Sequence, residues 1–260
     1  MMRWFDSGAN LTNGKLVHQL EDYIAAALQA GVEQIVVIGT DVQHSREALA
    51  LCDRYPDYLL ATVGVHPHDA ATAPHDYIAQ LRELAQHPAA RAIGECGLDF
   101  NRNYSPPDIQ LKVFRAQLEL AAELQMPVYL HERDAHEPQV ELLGEFQDRI
   151  PRFLAHCFTG DEKALASYLN LGCYIGITGW VCDERRGRDL QHSVLHIPAD
   201  KIVIETDAPF LLPRTLRPRP AYNASEYLPH IGEFVAQLRQ QEVSEFAAQS
   251  WLNSQNFFQK

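Results

Sequence analysis

The sequence predicts a (β/α)8 barrel, on three observations. Short continuous runs rich in Val, Ile and Leu recur along the chain, each followed by a stretch with helical periodicity. Such runs suit strands buried on both faces, as in a parallel sheet. Eight strand–helix alternations fit into 260 residues, the usual length of a barrel at roughly 30 residues per unit. Finally, the residue that closes each run is polar: Asp6, Thr40, His66, Glu95, His131, His156, Thr178 and Asp207. An open doubly wound sheet is the competing fold, but no GxGxxG turn follows the first run.

The expected strands are Trp4-Phe5-Asp6, Gln34 to Thr40, Leu59 to His66, Arg91 to Glu95, Pro127 to His131, Arg152 to His156, Cys173 to Thr178 and Lys201 to Asp207. The first expected helix runs from Lys15 to Ala30 and is stopped by Gly31, a residue that tolerates the left-handed helix terminus. Ser45 to Arg54, Asp76 to Gln86, Asp108 to Leu124 and Gln139 to Asp148 follow. Glu162 to Leu169 comes after a capping segment, Thr159-Gly160-Asp161, and Gly172 ends it. A last helical block runs from about Pro229 to Lys260. With no low-complexity stretch or linker, residues 1–260 read as one domain.

Composition narrows the class. Hydrophobic residues make up 46% of the chain, enough for a large core. No apolar run approaches the length of a membrane span of about 18 residues. The opening Met1-Met2-Arg3-Trp4-Phe5-Asp6 lacks an apolar signal segment and reads as mature structure. Five cysteines, an odd number without a CxxC pair, point to a reducing cytoplasm rather than a disulfide framework. The net charge of −12 lacks the basic balance of a duplex-coating protein. Any nucleic-acid contact is therefore expected to be local, at a strand end or with a few nucleotides at one pocket. A monomer is expected.

In a barrel the strand ends meet at one mouth, where active sites lie. A lone histidine there is usually a hydrogen-bonded structural residue, and a lone aspartate usually a turn or helix cap. Six ionisable residues tracking the strand ends make coincidence a poor account. Glu95, His131 and His156 form a carboxylate and two-imidazole set that leaves coordination sites open. Such a metal lowers the pKa of bound water and polarises a carbonyl or phosphoryl oxygen. Asp207 is the further carboxylate, able to ligate a metal, accept the proton of a water, or both.

Around these residues the sequence resembles the TatD family of metal-dependent deoxyribonucleases. The resemblance lies in GVHPHD (64–69), AIGECGLDFNRN (92–103), MPVYLHERDAH (126–136), AHCFTG (155–160), YIGITGWVCDERRG (174–187) and IETDAPFLLPR (204–214), with Asn223 to His230 as a later block. It implies an amidohydrolase-like barrel and magnesium-dependent 3′–5′ exonuclease action on single-stranded DNA and RNA, with a role in DNA repair. Carried over residue by residue, it implies metal ligands at Glu95, His131 and His156, and a base or further ligand at Asp207. Many family members carry Asp-x-His-x-His after the first strand, supplying two more ligands. Here the segment reads Asp6-Ser7-Gly8-Ala9-Asn10. Glycine has no ligand atom and the Asn amide is a weak one, so a second metal is expected to be weak or to arrive with substrate. The donor set suits Zn, Mn or Fe(II) better than Mg, which prefers oxygen; the resemblance implies Mg, which stays the expected cofactor with Mn or Zn as alternatives.

Other residues divide between binding and structure. His66 reads as a phosphate contact rather than a ligand, because Pro67 stiffens the turn and keeps His66 and His68 from converging. Arg133 could clamp a phosphate with its planar fork, as could Arg185 and Arg186; the alternative is a solvated loop charge. Trp180, Phe158 and Phe100 could stack bases, though loop aromatics more often pack. Cys157 reads as a buried small residue rather than a nucleophile. The competing functions are hydrolysis of a small ester or aminoacyl substrate, and a docking barrel that has lost catalysis.

Overall fold

The computed structural model describes residues 2–259. Its strands are β1 (Trp4–Ala9), β2 (Val32–Val37), β3 (Leu59–Val63), β4 (Ala90–Asp99), β5 (Val128–Arg133), β6 (Phe153–Ala155), β7 (Tyr174–Ile177) and β8 (Ile202–Ile204). The helices are α1 (Leu20–Gln29), α2 (Val42–Arg54), α3 (Tyr77–Leu84), α4 (Pro107–Leu124), α5 (His136–Gly144), α6 (Glu162–Asn170), α7 (Arg188–Val194), α8 (Leu228–Leu238) and α9 (Val243–Phe258). The strands belong to one sheet in the order β1 to β8, the succession of a (β/α)8 barrel.

Each departure from the expected elements has a local cause. The first expected helix opens as a 3-10 turn, Val17–Gln19, before α1. α2 starts earlier than expected because Asp41 caps it, accepting the His44 backbone N–H at 2.7 Å. α7 is short and polar, too brief for periodicity to reveal. The last block divides into α8 and α9, and Gln240 between them is left-handed at φ 53°. Most consequential, β4 runs four residues beyond Glu95, to Asp99. The continuous apolar run ends at the first charge, although Cys96 and Leu98 beyond it are fully buried.

The chain forms two compact units. One comprises residues up to 36, 157–166 and 175–256. In it β7 and β8 pair in parallel through Ile175 with Ile202, Gly176 with Val203 and Ile177 with Ile204. A parallel bridge links Ala9 with Ala208. Asp6 is fully buried here, accepting hydrogen bonds from the Thr206 backbone (2.8 Å), the Thr206 hydroxyl (2.6 Å) and the Ser225 hydroxyl (2.6 Å). These donors stabilise the anion, yet burial dominates and pushes its pKa up to about 6.

The other unit comprises residues 37–156, 167–174 and 257 onward. It contains β3 to β6, paired in parallel. Three buried glutamines fasten its strand ends. Gln117 accepts from the Val65 N–H at 2.8 Å and donates to the Val65 carbonyl at 2.9 Å. Gln110 does the same for Asp99, at 2.8 and 3.0 Å. Gln139 accepts from the Leu98 N–H at 3.0 Å. Backbone groups beyond the regular ladder still need partners when buried, and these side chains supply them.

Candidate metal centre at the strand ends

The centre is built around an irregularity in β4. Between Ile93 and Cys96 that strand advances three residues while β5 advances two, Val128 to Leu130. The extra residue forms a bulge, which re-aims side chains. Glycine is required on both sides. Gly94 (φ 141°) and Gly97 (φ 144°) lie in conformations that side chains rarely adopt, and an added Cβ would strike the carbonyls of Tyr129 and His131 respectively.

Three ligand-type atoms gather there. Glu95 Oε1 lies 2.9 Å from His131 Nδ1 and 3.8 Å from His156 Nε2. The outward nitrogen of each ring has a partner. His131 Nε2 faces Asp99 Oδ2 at 3.4 Å, and His156 Nδ1 meets the Tyr129 hydroxyl at 2.7 Å. A proton on each outward nitrogen, donated to these oxygens, leaves the inward nitrogen with a free lone pair for a metal. The donor set therefore fits a divalent ion held by one carboxylate and two neutral imidazoles.

His66 and His68 join this cluster, which corrects the expectation that Pro67 would keep them apart. Their ring centroids are 4.3 Å from each other, and His66 is 4.3 Å from His131. His66, His68 and His131 each bring a nitrogen within 4.8 Å of the others. The cause is a 3-10 turn, Pro67–Thr72, whose N-cap is His66. Its tight winding returns His68 to the same side, where its N–H donates to His66 Nδ1 at 3.1 Å. Neutral His66 then carries its proton on Nε2, pointing at Glu95 Oε1 3.5 Å away. That makes His66 a donor rather than a ligand.

The charges follow from these contacts, and His131 has to give up a proton before it can ligate a metal. Burial alone would raise the Glu95 carboxyl, but the facing His66, His131 and His156 hold it well below the usual range. Asp99 is likewise held low against burial, by His131, the Arg102 N–H and His68. Burial and the neighbouring His131 push His66 down to about 4. Burial works to lower His131 as well, but its bonds to Asp99 and Glu95 raise it to about 9.

Asp99, Tyr129 and the buried glutamines escaped the sequence reading. Asp99 stood outside the expected strand. Its one available signal was the alternation of buried and polar residues continuing through Cys-Gly-Leu-Asp. Arg133, at the end of β5, is exposed and among the described residues has no side-chain partner. Arg185 is also exposed. Arg186 is already engaged, gripping Asp183 Oδ2 at 3.1 and 3.2 Å and lying 4.4 Å over the Trp180 ring. Phe158 is buried and packs in the core, and Phe100 is half-buried.

Within the first unit, Asp207 follows β8 with φ 53°. Its N–H donates to the Gly8 carbonyl at 2.8 Å, and its Oδ1 accepts from Asn10 Nδ2 at 2.8 Å. The Cys157 thiol and the Asp207 carboxylate offer ligand atoms within 4.8 Å. Thr178 is fully buried and caps the 3-10 turn Gly179–Cys182, a structural role. Thr40 passes its carbonyl to the His66 N–H at 2.7 Å, helping to seat that residue.

A (β/α)8 barrel with a carboxylate and histidines gathered on its strand ends has the architecture of a metal-dependent hydrolase. The chain belongs to the TatD related DNase family, whose model matches residues 5–259. It is 49% identical to the 3′-5′ ssDNA/RNA exonuclease TatD of Pectobacterium parmentieri, over 92% of this chain and 93% of that protein. It is 47% identical to the protein of the same name from Erwinia tasmaniensis, over 98% and 99%. Among solved structures, a TatD homologue from Escherichia coli K12 superposes with a TM-score of 0.91 at 25% identity, covering 100% of this chain and 99% of that one. A phosphotriesterase homology protein from Escherichia coli, complexed with phosphate in its active site, shares the fold at TM-score 0.70 and 16% identity, over 99% of both chains.

Proposed function

We propose that this chain is a metal-dependent 3′–5′ exonuclease acting on single-stranded DNA and RNA, with Glu95, His131 and His156 as the ligands. The observation that carries this reading is the convergence of Glu95 Oε1, His131 Nδ1 and His156 Nε2, with both outward ring nitrogens tethered by Asp99 and Tyr129. The relatives named as exonucleases align over nearly the whole chain.

Glu95, His131 and His156 would hold a divalent ion, which when bound would supply an acidified water and polarise a phosphoryl oxygen. The chain's own residues do the rest. Asp207, at the end of β8 and at the family's acidic position, accepts the proton of the attacking water and serves as a further ligand. His66 Nε2–H donates to a phosphate oxygen. Arg133 and Arg185 neutralise phosphate charge from the rim, and Arg186 does so after exchanging Asp183 for the strand.

Magnesium is the working metal by family pattern, while two nitrogen donors suit manganese or zinc. A single firmly held ion is proposed. A cytoplasmic setting agrees with five free thiols, and an acidic monomer working at strand ends in DNA repair completes the reading. The test is digestion of 5′-labelled single-stranded DNA and RNA, with small esters alongside, in Mg, Mn and Zn. Stepwise shortening from the 3′ end is expected; cleavage of esters alone would overturn the nuclease reading.

A further inference from the structure

The β4–α4 loop carries an aromatic side chain beside His68. Tyr104 is 65% exposed, the most exposed large hydrophobic side chain among the described residues. Its ring stands edge-on to His68 with centroids 4.7 Å apart. His68 in turn is fixed by Asp99 Oδ2 at 2.7 Å. An exposed aromatic on a loose loop would carry no meaning, but this loop is tightly held.

Asp99 Oδ1 accepts from the Asn101 and Arg102 N–H groups at 3.0 and 2.8 Å. Asn103 Nδ2 donates to the Phe100 carbonyl at 2.7 Å. The fully buried Ser105 donates to the His68 carbonyl and accepts from the Ala71 N–H, both at 2.9 Å. Gln110 binds the Ser105 carbonyl at 2.8 Å. A rigid backbone thus presents an open aromatic face beside the histidine cluster. Arg102 lies two residues earlier on the same loop, and Arg133 ends β5 opposite Asp99 of β4; both are exposed and, among the described residues, without side-chain partners.

We propose that Tyr104 is a stacking platform for the 3′-terminal nucleobase, with Arg102 and Arg133 taking the adjoining phosphates. The proposal rests on the nuclease reading and names its base subsite. Stacking uses the π-face that all bases share, so the platform favours a base over no base without choosing among bases. Preorganisation of the loop spares the ordering cost of binding.

The test is fluorescence anisotropy of two 5′-fluorescein decathymidylates with the Mg-loaded protein. One strand ends in a normal nucleotide and the other in a tetrahydrofuran abasic nucleotide. Both carry a 3′-terminal phosphorothioate linkage that blocks cleavage. The base-ended strand is expected to bind roughly 5- to 150-fold more tightly. Tyr104→Ala should erase that ratio and Tyr104→Phe should retain it, with thermal melting confirming that both variants are folded. Equal binding of the two strands by the parent protein, or an unchanged ratio in folded Tyr104→Ala, overturns the platform. Turnover of unmodified strands is measured separately, so failure of the nuclease reading is distinguishable from failure of the platform.

Discussion

Asn10 donates its side-chain N–H to Asp207 Oδ1 at 2.8 Å. The residue that replaces a family histidine is therefore a hydrogen-bond donor to the acidic residue proposed as base. If Asn10 orients Asp207, Asn10→Ala should lower kcat about tenfold with KM little changed, the scale of losing a hydrogen bond to a charged group. Steady-state kinetics on a labelled strand would show it. A rise in KM alone would mean that Asn10 contacts substrate instead.

The three-ligand assignment predicts that Glu95→Ala, His131→Ala and His156→Ala each reduce nuclease activity to background while the far-ultraviolet dichroism stays that of the parent. Chelation by EDTA should do the same reversibly. One tightly bound ion per chain is expected by calorimetric titration without substrate. Two ions of equal affinity would contradict the expectation that Gly8 and Asn10 leave a second site weak.

Tyr129 holds the outward nitrogen of His156, and Asp99 that of His131. Tyr129→Phe and Asp99→Asn should each weaken metal binding by about 10- to 100-fold, read by Mn2+ titration with electron paramagnetic resonance. A purely structural role would lower the melting temperature and leave the affinity of the folded protein unchanged.

Asp6 gives a pH signature away from the centre. Its folded pKa of about 6 stands above the ordinary 3.8. The folded state thus binds this proton more tightly than the unfolded state does. The resulting stabilisation is complete below pH 3.8 and is lost as pH rises through 6. The difference amounts to about 3 kcal/mol. Asp6→Asn keeps an acceptor for the backbone donors and has no proton to lose. Relative to the parent it should gain stability between pH 4 and 7, measured by urea midpoints. A parallel offset at all pH values would refute the ionisation account.

Gln117 tests the glutamine clamps. Gln117→Leu strands the buried Val65 N–H and carbonyl. A loss of about 2 to 4 kcal/mol in chemical denaturation is expected from two unsatisfied groups. His66 follows Val65 directly, so activity should fall further than the folded fraction does.

The sequence by itself determined the alternation of buried strands and helices, because apolar runs and periodicity are local. It also determined that Glu95, His131 and His156 end or interrupt those runs. Asp99 was not legible, because a charge inside a buried strand looks like the strand's end. Only the pairing of β4 with β5 revealed the bulge that turns Glu95 toward His131 while Asp99 closes on the other ring nitrogen. The convergence of His66 and His68 depended on a 3-10 turn that a His-Pro-His string does not announce. Which nitrogen of each imidazole is free, and that Asn10 serves Asp207, are facts of distance. Residues tens to hundreds of positions apart meet only through the tertiary structure, and there the choice of ligand, donor and platform is made.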